Sequence, residues 1–152
     1  MKMQTHPDPA RKAWLSLLAK APAARLSALW TAAGQAPEHS VLRAPEIGGV
    51  MVRGRAGAVG AAFNLGEMTV TRASVRLEAG PVGHGYVQGR GKDHALQAAL
   101  IDALMQTDAA DDIRAQILDP LEREMTAARS ARAAKAAATK VDFFTMVRGE
   151  DA

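Results

Sequence analysis

The spacing of apolar residues changes period twice along this chain, and that alone restricts the folds open to it. At the N-terminal end Asp8-Pro9 sets a capping residue before a proline suited to a first helical position. Trp14, Leu17, Leu18 and Ala21 then recur at helical spacing, which predicts an amphipathic helix over 9–20. Pro22 ends it and opens a second helix with Leu26, Leu29, Trp30 and Ala33 as its stripe and Gly34 as its stop. The two form a helical hairpin, expected to lie across a sheet.

From Val41 the period falls towards two. Val50 and Val52 alternate with Met51, Arg53 and Arg55, and Thr71, Ala73, Val75 and Leu77 alternate with Arg72, Ser74, Arg76 and Glu78. A third run puts His84, Tyr86, Gln88 and Arg90 on one face and Gly85, Val87 and Gly89 on the other. Gly57 and Gly60 mark one turn and Gly80-Pro81 the next, so a three-stranded antiparallel meander is expected. Helical spacing then returns: Asp93 as cap, Leu96, Leu100 and Leu104 as face, and Asp111-Asp112 opening a further helix with Ile113 and Ile117 inward. Asp119-Pro120 reads as a break and restart before an Ala-rich helix over 121–139. The segment Val141 to Val147 is apolar on both faces and is expected to be docked. The fold class is α+β: helical hairpin (1–40), Arg/Gly-rich sheet (41–91), helices (92–140) and docking tail (141–152), within one domain of 152 residues.

Composition sharpens the picture once it is located. Residues 41–90 hold six arginines, no lysine and three glutamates, which is the whole formal net charge of +3. Eleven of the 13 glycines fall between 41 and 91. Zero cysteines exclude a disulfide framework, a thiolate nucleophile and an iron–sulfur cluster held by this chain alone. The start MKMQTHPDPARK lacks the apolar stretch of a secretory signal, and no run suits a membrane span, so a soluble cytoplasmic chain is expected. An aromatic content of 4% leaves no stacking platform for nucleic acid.

The arginines are the first candidates for a function. Arg53 and Arg55 share one strand face by alternation and Arg72 and Arg76 share another, while Arg90 lies with His84. Guanidinium forks bind phosphate or carboxylate in pairs, so these residues suggest an oxyanion surface or a patch for an acidic partner. A solvated sheet face in an Arg-rich chain is the alternative. The turn Gly89-Arg90-Gly91-Lys92-Asp93-His94 leads into a helix, where free N–H groups attract anions, yet it is not a P-loop, and an ordinary glycine-rich turn with an Asp cap is the preferred reading. His6, His39, His84 and His94 lack metal-ligand spacing, and no serine sits in a nucleophile elbow. Glu67 is a general-base candidate, with an ion pair to Arg72 or Arg55 as the plainer expectation. Chemistry alone gives no enzyme here.

The blocks Arg11-Lys-Ala-Trp14-Leu-Ser-Leu-Leu-Ala19, Arg43 to Arg55, Thr69-Val-Thr-Arg72-Ala73-Ser-Val-Arg-Leu77, Val87-Gln-Gly-Arg90, Ala98 to Gln106 and Val141-Asp-Phe-Phe-Thr-Met-Val-Arg-Gly149 follow in order the pattern of one family. The chain resembles PhnG, a small subunit of the bacterial carbon–phosphorus lyase system. The resemblance implies a complex with PhnH, PhnI and PhnJ, with PhnL needed for activity and PhnI carrying the nucleosidase chemistry. Such a complex converts methylphosphonate and ATP into ribose 1-methylphosphonate 5-triphosphate and adenine. It also implies that later C–P cleavage, with its iron–sulfur cluster and S-adenosylmethionine, belongs to another subunit. No cofactor or metal is expected on this chain, ATP being a substrate of the complex, and no catalytic residue carries across.

Arg55, Arg72, Arg76, Arg90 and His94 match the family pattern and, with Lys92, form the candidate set for anion, nucleotide or subunit binding. Arg53 and His84 fall at more variable positions. Phe143, Phe144, Met146 and Arg148 are the candidate docking residues of the tail. Two roles stay open: an accessory subunit that completes an active site, or a scaffold without contact to substrate. A free-standing nucleotide-binding module ranks last. Both leading roles imply exposed apolar surface at 141–147 and at the Trp14/Trp30 hairpin.

Overall fold

A computed structural model describes residues 8–141 apart from 58 and 79. Asp8 caps α1 (Pro9–Lys20), its carboxylate accepting from the Ala10 N–H at 2.9 Å. Pro22 then leads directly into α2 (Ala23–Ala33), which Gly34 closes in the left-handed conformation at φ 63°. β1 (His39–Arg55), β2 (Ala62–Leu77) and β3 (Val82–Gln88) form an antiparallel sheet in the order β1-β2-β3. α3 (Lys92–Leu104) follows, then α4 (Ala110–Ile113), a π-helical turn (Arg114–Leu118) and α5 (Asp119–Ala138) in one continuous helical run. The α+β order and the meander are therefore as the periodicity predicts.

One sheet face carries the core. Thr71, Ala73, Val75 and Leu77 of β2 and Val87 of β3 are buried, and they meet Ala95, Ala98, Ala99 and Ile101 of α3. Leu18 and Leu26 from the hairpin and Ile113, Ile117, Leu118 and Leu121 complete the same core, α2 packing against the π-helical turn that follows α4. α3 is buried nearly all round, as expected of a helix apolar on every face. It lies unusually near β3. A side chain on Gly83 would overlap the carbonyl oxygen of Ala99, and one on Gly85 that of Ala95. Gly83, Gly85, Ala95, Ala99 and Ala103 form a seam where backbone meets backbone.

Several details differ from the sequence expectations, each for a local reason. Strand pairing begins at His39, two residues before Val41, and the register shifts around Arg43 and Glu46 absorb Pro45 without ending the ladder. Gly91, not Asp93, occupies the cap of α3, and Asp93 sits inside the first turn. Pro120 does not break the helical run. The π turn just before it accommodates a residue that has no N–H to give, so Asp119 continues the helix instead of capping a new one. The hairpin is also not an exposed apolar surface: Trp14 is buried and Trp30 packs partly against the core.

Two parts project from this body. β3 pairs only with residues 70–76 of β2, so the remainder of β1 and β2 runs on as a two-stranded arm, roughly 25 Å long at the usual rise per residue. Beyond Leu121 every residue of α5 is exposed except the half-buried Met125, and the exposed Arg25–Glu124 pair (2.6 Å) ties its base to α2.

Candidate functional site

The sheet face opposite the helices is open. Because Thr71, Ala73 and Val75 turn inward, alternation sends Arg72, Ser74 and Arg76 outward, and on β3 it sends His84, Tyr86 and Gln88 the same way. The register aligns them in rows: Ser40, Arg76 and Val82; Arg43, Ser74 and His84; Glu46, Arg72 and Tyr86. The hydroxyl of Ser74 lies 2.9 Å from His84 Nδ1. Arg72 donates through Nε to Glu46 Oε1, which also accepts from Arg43 Nη1 at 2.6 Å. Beside them Glu46, residues 47–50, Arg72 and Tyr86 line a groove.

Three arginines, Arg43, Arg72 and Arg76, stand on this face, with Glu46 between the first two and Glu38 and Glu78 lining the surface beside Arg76. Arg76 makes no hydrogen bond or ion pair among the described residues, so its guanidinium is free for an incoming anion. Hydrogen bonds from Arg72 and then Arg43 hold the Glu46 carboxyl below the usual carboxylate range. Its folded value is thus lower than its unfolded value. The stability it contributes is complete above that value and is lost as the pH falls through the folded one. A carboxyl-detected NMR titration is expected to find Glu46 titrating below reference glutamates, and Arg72→Ala should raise its midpoint. An unchanged midpoint in that variant would remove Arg72 as the cause.

The candidate residues are not all brought together. Arg72 and Arg76 share the open face, and the discounted His84 stands with them. Arg55 pairs with Ala62 at the far end of the arm and donates to the Gly60 carbonyl at 3.1 Å, about 30 Å along β2 from Arg72. Arg90 lies past the end of β3, where Gly89 turns the chain at φ 89°, so the extrapolated alternation with His84 does not reach it. Arg90 and Lys92 stay exposed at the turn into α3. His94 is buried, its Nε2 2.8 Å from the Leu18 carbonyl, and joins α3 to α1 inside the core rather than facing the open sheet. Glu67 forms neither expected ion pair. Its side chain folds across Gly49, while Arg72 is taken by Glu46. The docking residues Phe143, Phe144, Met146 and Arg148 lie outside the described residues.

Sequence reasoning missed the most highly connected side chain, Asp102. It is fully buried in α3 and accepts from Arg11 Nε (3.1 Å) and Nη2 (2.7 Å), Trp14 Nε1 (2.9 Å) and the backbone N–H of His84 (2.9 Å). Its signal was present as the one acid in the apolar stretch from Ala95 to Met105. The His84 bond comes from the outer edge of β3, so Asp102 holds from below the strand whose upper face presents His84 and Tyr86. Donating to the Asp102 carboxylate pushes the Arg11 guanidinium above its ordinary value.

Among the described residues no group of three His, Asp or Glu side chains is arranged to hold a metal ion, and no helix is long and apolar enough to cross a membrane. Comparison with known proteins gives a direct result. Residues 9–149 match the family described as "Phosphonate metabolism protein PhnG". A relative from Rhizobium meliloti (strain 1021), named "Alpha-D-ribose 1-methylphosphonate 5-triphosphate synthase subunit PhnG", is 46% identical over 141 residues, covering 93% of this chain and 90% of its own length. The chain is therefore a member of the PhnG family of phosphonate metabolism proteins.

Proposed function

We propose that this chain is an accessory subunit of a synthase that joins methylphosphonate to the ribose C1 of ATP with release of adenine. The open sheet face serves there as its anion-binding contribution. The relative's name as a synthase subunit supports the first part. The observation that carries the second is the alignment of Arg72 and Arg76 on one exposed face beside Ser74, His84 and Tyr86. A triphosphate and a phosphonate both require donors of this kind, and guanidinium groups supply them in pairs. The chain works with the subunits PhnH, PhnI and PhnJ, and with PhnL for activity. It binds no cofactor itself, and its segment 141–147 docks on a partner.

Arg72→Ala and Arg76→Ala test the reading in the assembled complex. Each removes one charge-assisted donor worth about 1.5–3 kcal/mol, so turnover is expected to fall about 10- to 100-fold while the complex keeps its size by light scattering. Unchanged turnover would remove the face from catalysis. A complex that falls apart would favour the scaffold reading, in which the same arginines meet an acidic subunit. The projecting arm and α5 are the observations that favour this second role.

A further inference from the structure

The two edges of the sheet are treated differently. β3's outer edge is sealed by side chains: the Val82 carbonyl accepts from Arg11 Nη2 (3.3 Å) and Gln106 Nε2 (2.9 Å), and the His84 N–H donates to Asp102 (2.9 Å). On β1, at the opposite edge, no side chain or backbone group from another element bonds to the outer edge among the described residues. Exposed strand edges invite pairing with another chain, and proteins usually block them. This one blocks the shorter edge and leaves the longer one bare.

The bare edge has a defined usable length. Register shifts interrupt β1 at Arg43/Glu46 and at Val52/Arg53, and between them Glu46 to Val52 pairs without a break with Arg72 to Gly66. Seven regular residues match an ordinary strand. From here Ile47, Gly49, Met51, Arg53 and Arg55 follow one another at period two, apolar first and cationic last. Met51 is 56% exposed. Arg53 makes no hydrogen bond or ion pair among the described residues, and Arg55 bonds only to Gly60.

We infer that the outer edge of β1 at 46–52 receives an added β-strand from another subunit of the synthase, with apolar side chains against Ile47 and Met51 and acidic residues following that strand, beside Arg53 and Arg55 just past the register shift. Charge selects this occupant over a second copy of the chain. A second β1 brings the same guanidinium groups, and its one carboxylate, Glu46, is already held by Arg43 and Arg72. Main-chain hydrogen bonds supply affinity in such strand addition, and the alternating side chains supply the choice of partner. The inference rests on the subunit reading above.

Hydrogen exchange resolved to single residues tests it, comparing the isolated chain with the chain co-expressed and purified with the other subunits. Amides of 46–52 that face β2 are bonded in both states, so protection should rise on alternate residues only, by about tenfold or more. The double variant Arg53→Glu/Arg55→Glu should weaken assembly at least about tenfold and steepen in that effect at low salt. A complex that forms with the β1 amides unprotected overturns this inference and leaves the subunit reading intact. A chain that stays alone with every other subunit present overturns both. Protection already found in the isolated chain also overturns it: in favour of a second copy if it grows with concentration, or of this chain's own 142–152 if truncation removes it.

Discussion

Asp102→Ala is expected to destabilise the chain by about 3–5 kcal/mol, a large part of what a domain of this size possesses. The carboxylate is fully buried and holds four donors from three places: Arg11 and Trp14 of α1 and the edge of β3. Truncation leaves the buried Trp14 indole N–H and the partly buried His84 N–H without acceptors, and it leaves Arg11 without its counter-charge. Arg11 is about one-third exposed and can turn partly to water, so the two N–H groups, the indole above all, carry most of the cost. Asp102→Asn separates charge from shape. Its amide oxygen serves one or two donors while its NH₂ opposes the rest, so an intermediate loss is expected. Chemical denaturation followed by far-UV circular dichroism measures both. An asparagine variant as stable as the parent would show that the negative charge contributes nothing and that Arg11 is incidental.

Gly85→Ala is the second large effect, by an unrelated cause. The added methyl would occupy the space of the Ala95 carbonyl oxygen, and neither β3 nor α3 has a flexible side chain there that can yield. The new methyl would stand 1.9 Å from that oxygen, so helix and strand must part by more than an ångström there, loosening the contacts of the seam. A loss of about 3 kcal/mol is expected, at the upper end for overpacking. Gly83→Ala should behave alike, since it meets Ala99 and Ala103 one step along the same seam. Gly48→Ala is the control, because nothing lies within 4 Å of its new methyl. It should stay within about 0.5 kcal/mol of the parent. Equal losses at positions 48 and 85 would point to a general intolerance of alanine in the strands and would dismiss the seam.

Much of the fold could be read from residues that act locally. Asp8-Pro9 and Gly34 bound their helices through groups within a turn of themselves, and the alternation from Thr71 to Glu78 reports one buried face. What stayed hidden depends on partners distant in the chain. Arg72 and Arg76 were correctly assigned to one strand face, but the register that sets His84 beside Ser74 and Tyr86 beside Arg72 is decided between strands. The same limit explains the error over Arg90, where a period was extended through Gly89, a residue that ends the strand. Pro120 misled for a different reason: its usual effect on a helix was absorbed by irregular geometry one turn earlier. Asp102 was legible only as an oddity, an acid among alanines and leucines, with nothing nearby to name its three partners.

The π-helical turn at 114–118 has a consequence for the surface this protein shows. It inserts a residue between the part of the helical run anchored by Ile113 and the exposed length of α5. In regular helix each residue advances the face by about 100°. The turn therefore acts as an index plate: it decides which side Arg129, Arg132 and Lys135 point to, although none of them touches it. Loss of one residue there would swing those cations about a quarter-turn around the axis and carry Glu124 away from Arg25, with α5's own sequence unaltered. The bearing of α5 is thus written upstream of it, in five residues that α5 does not contain.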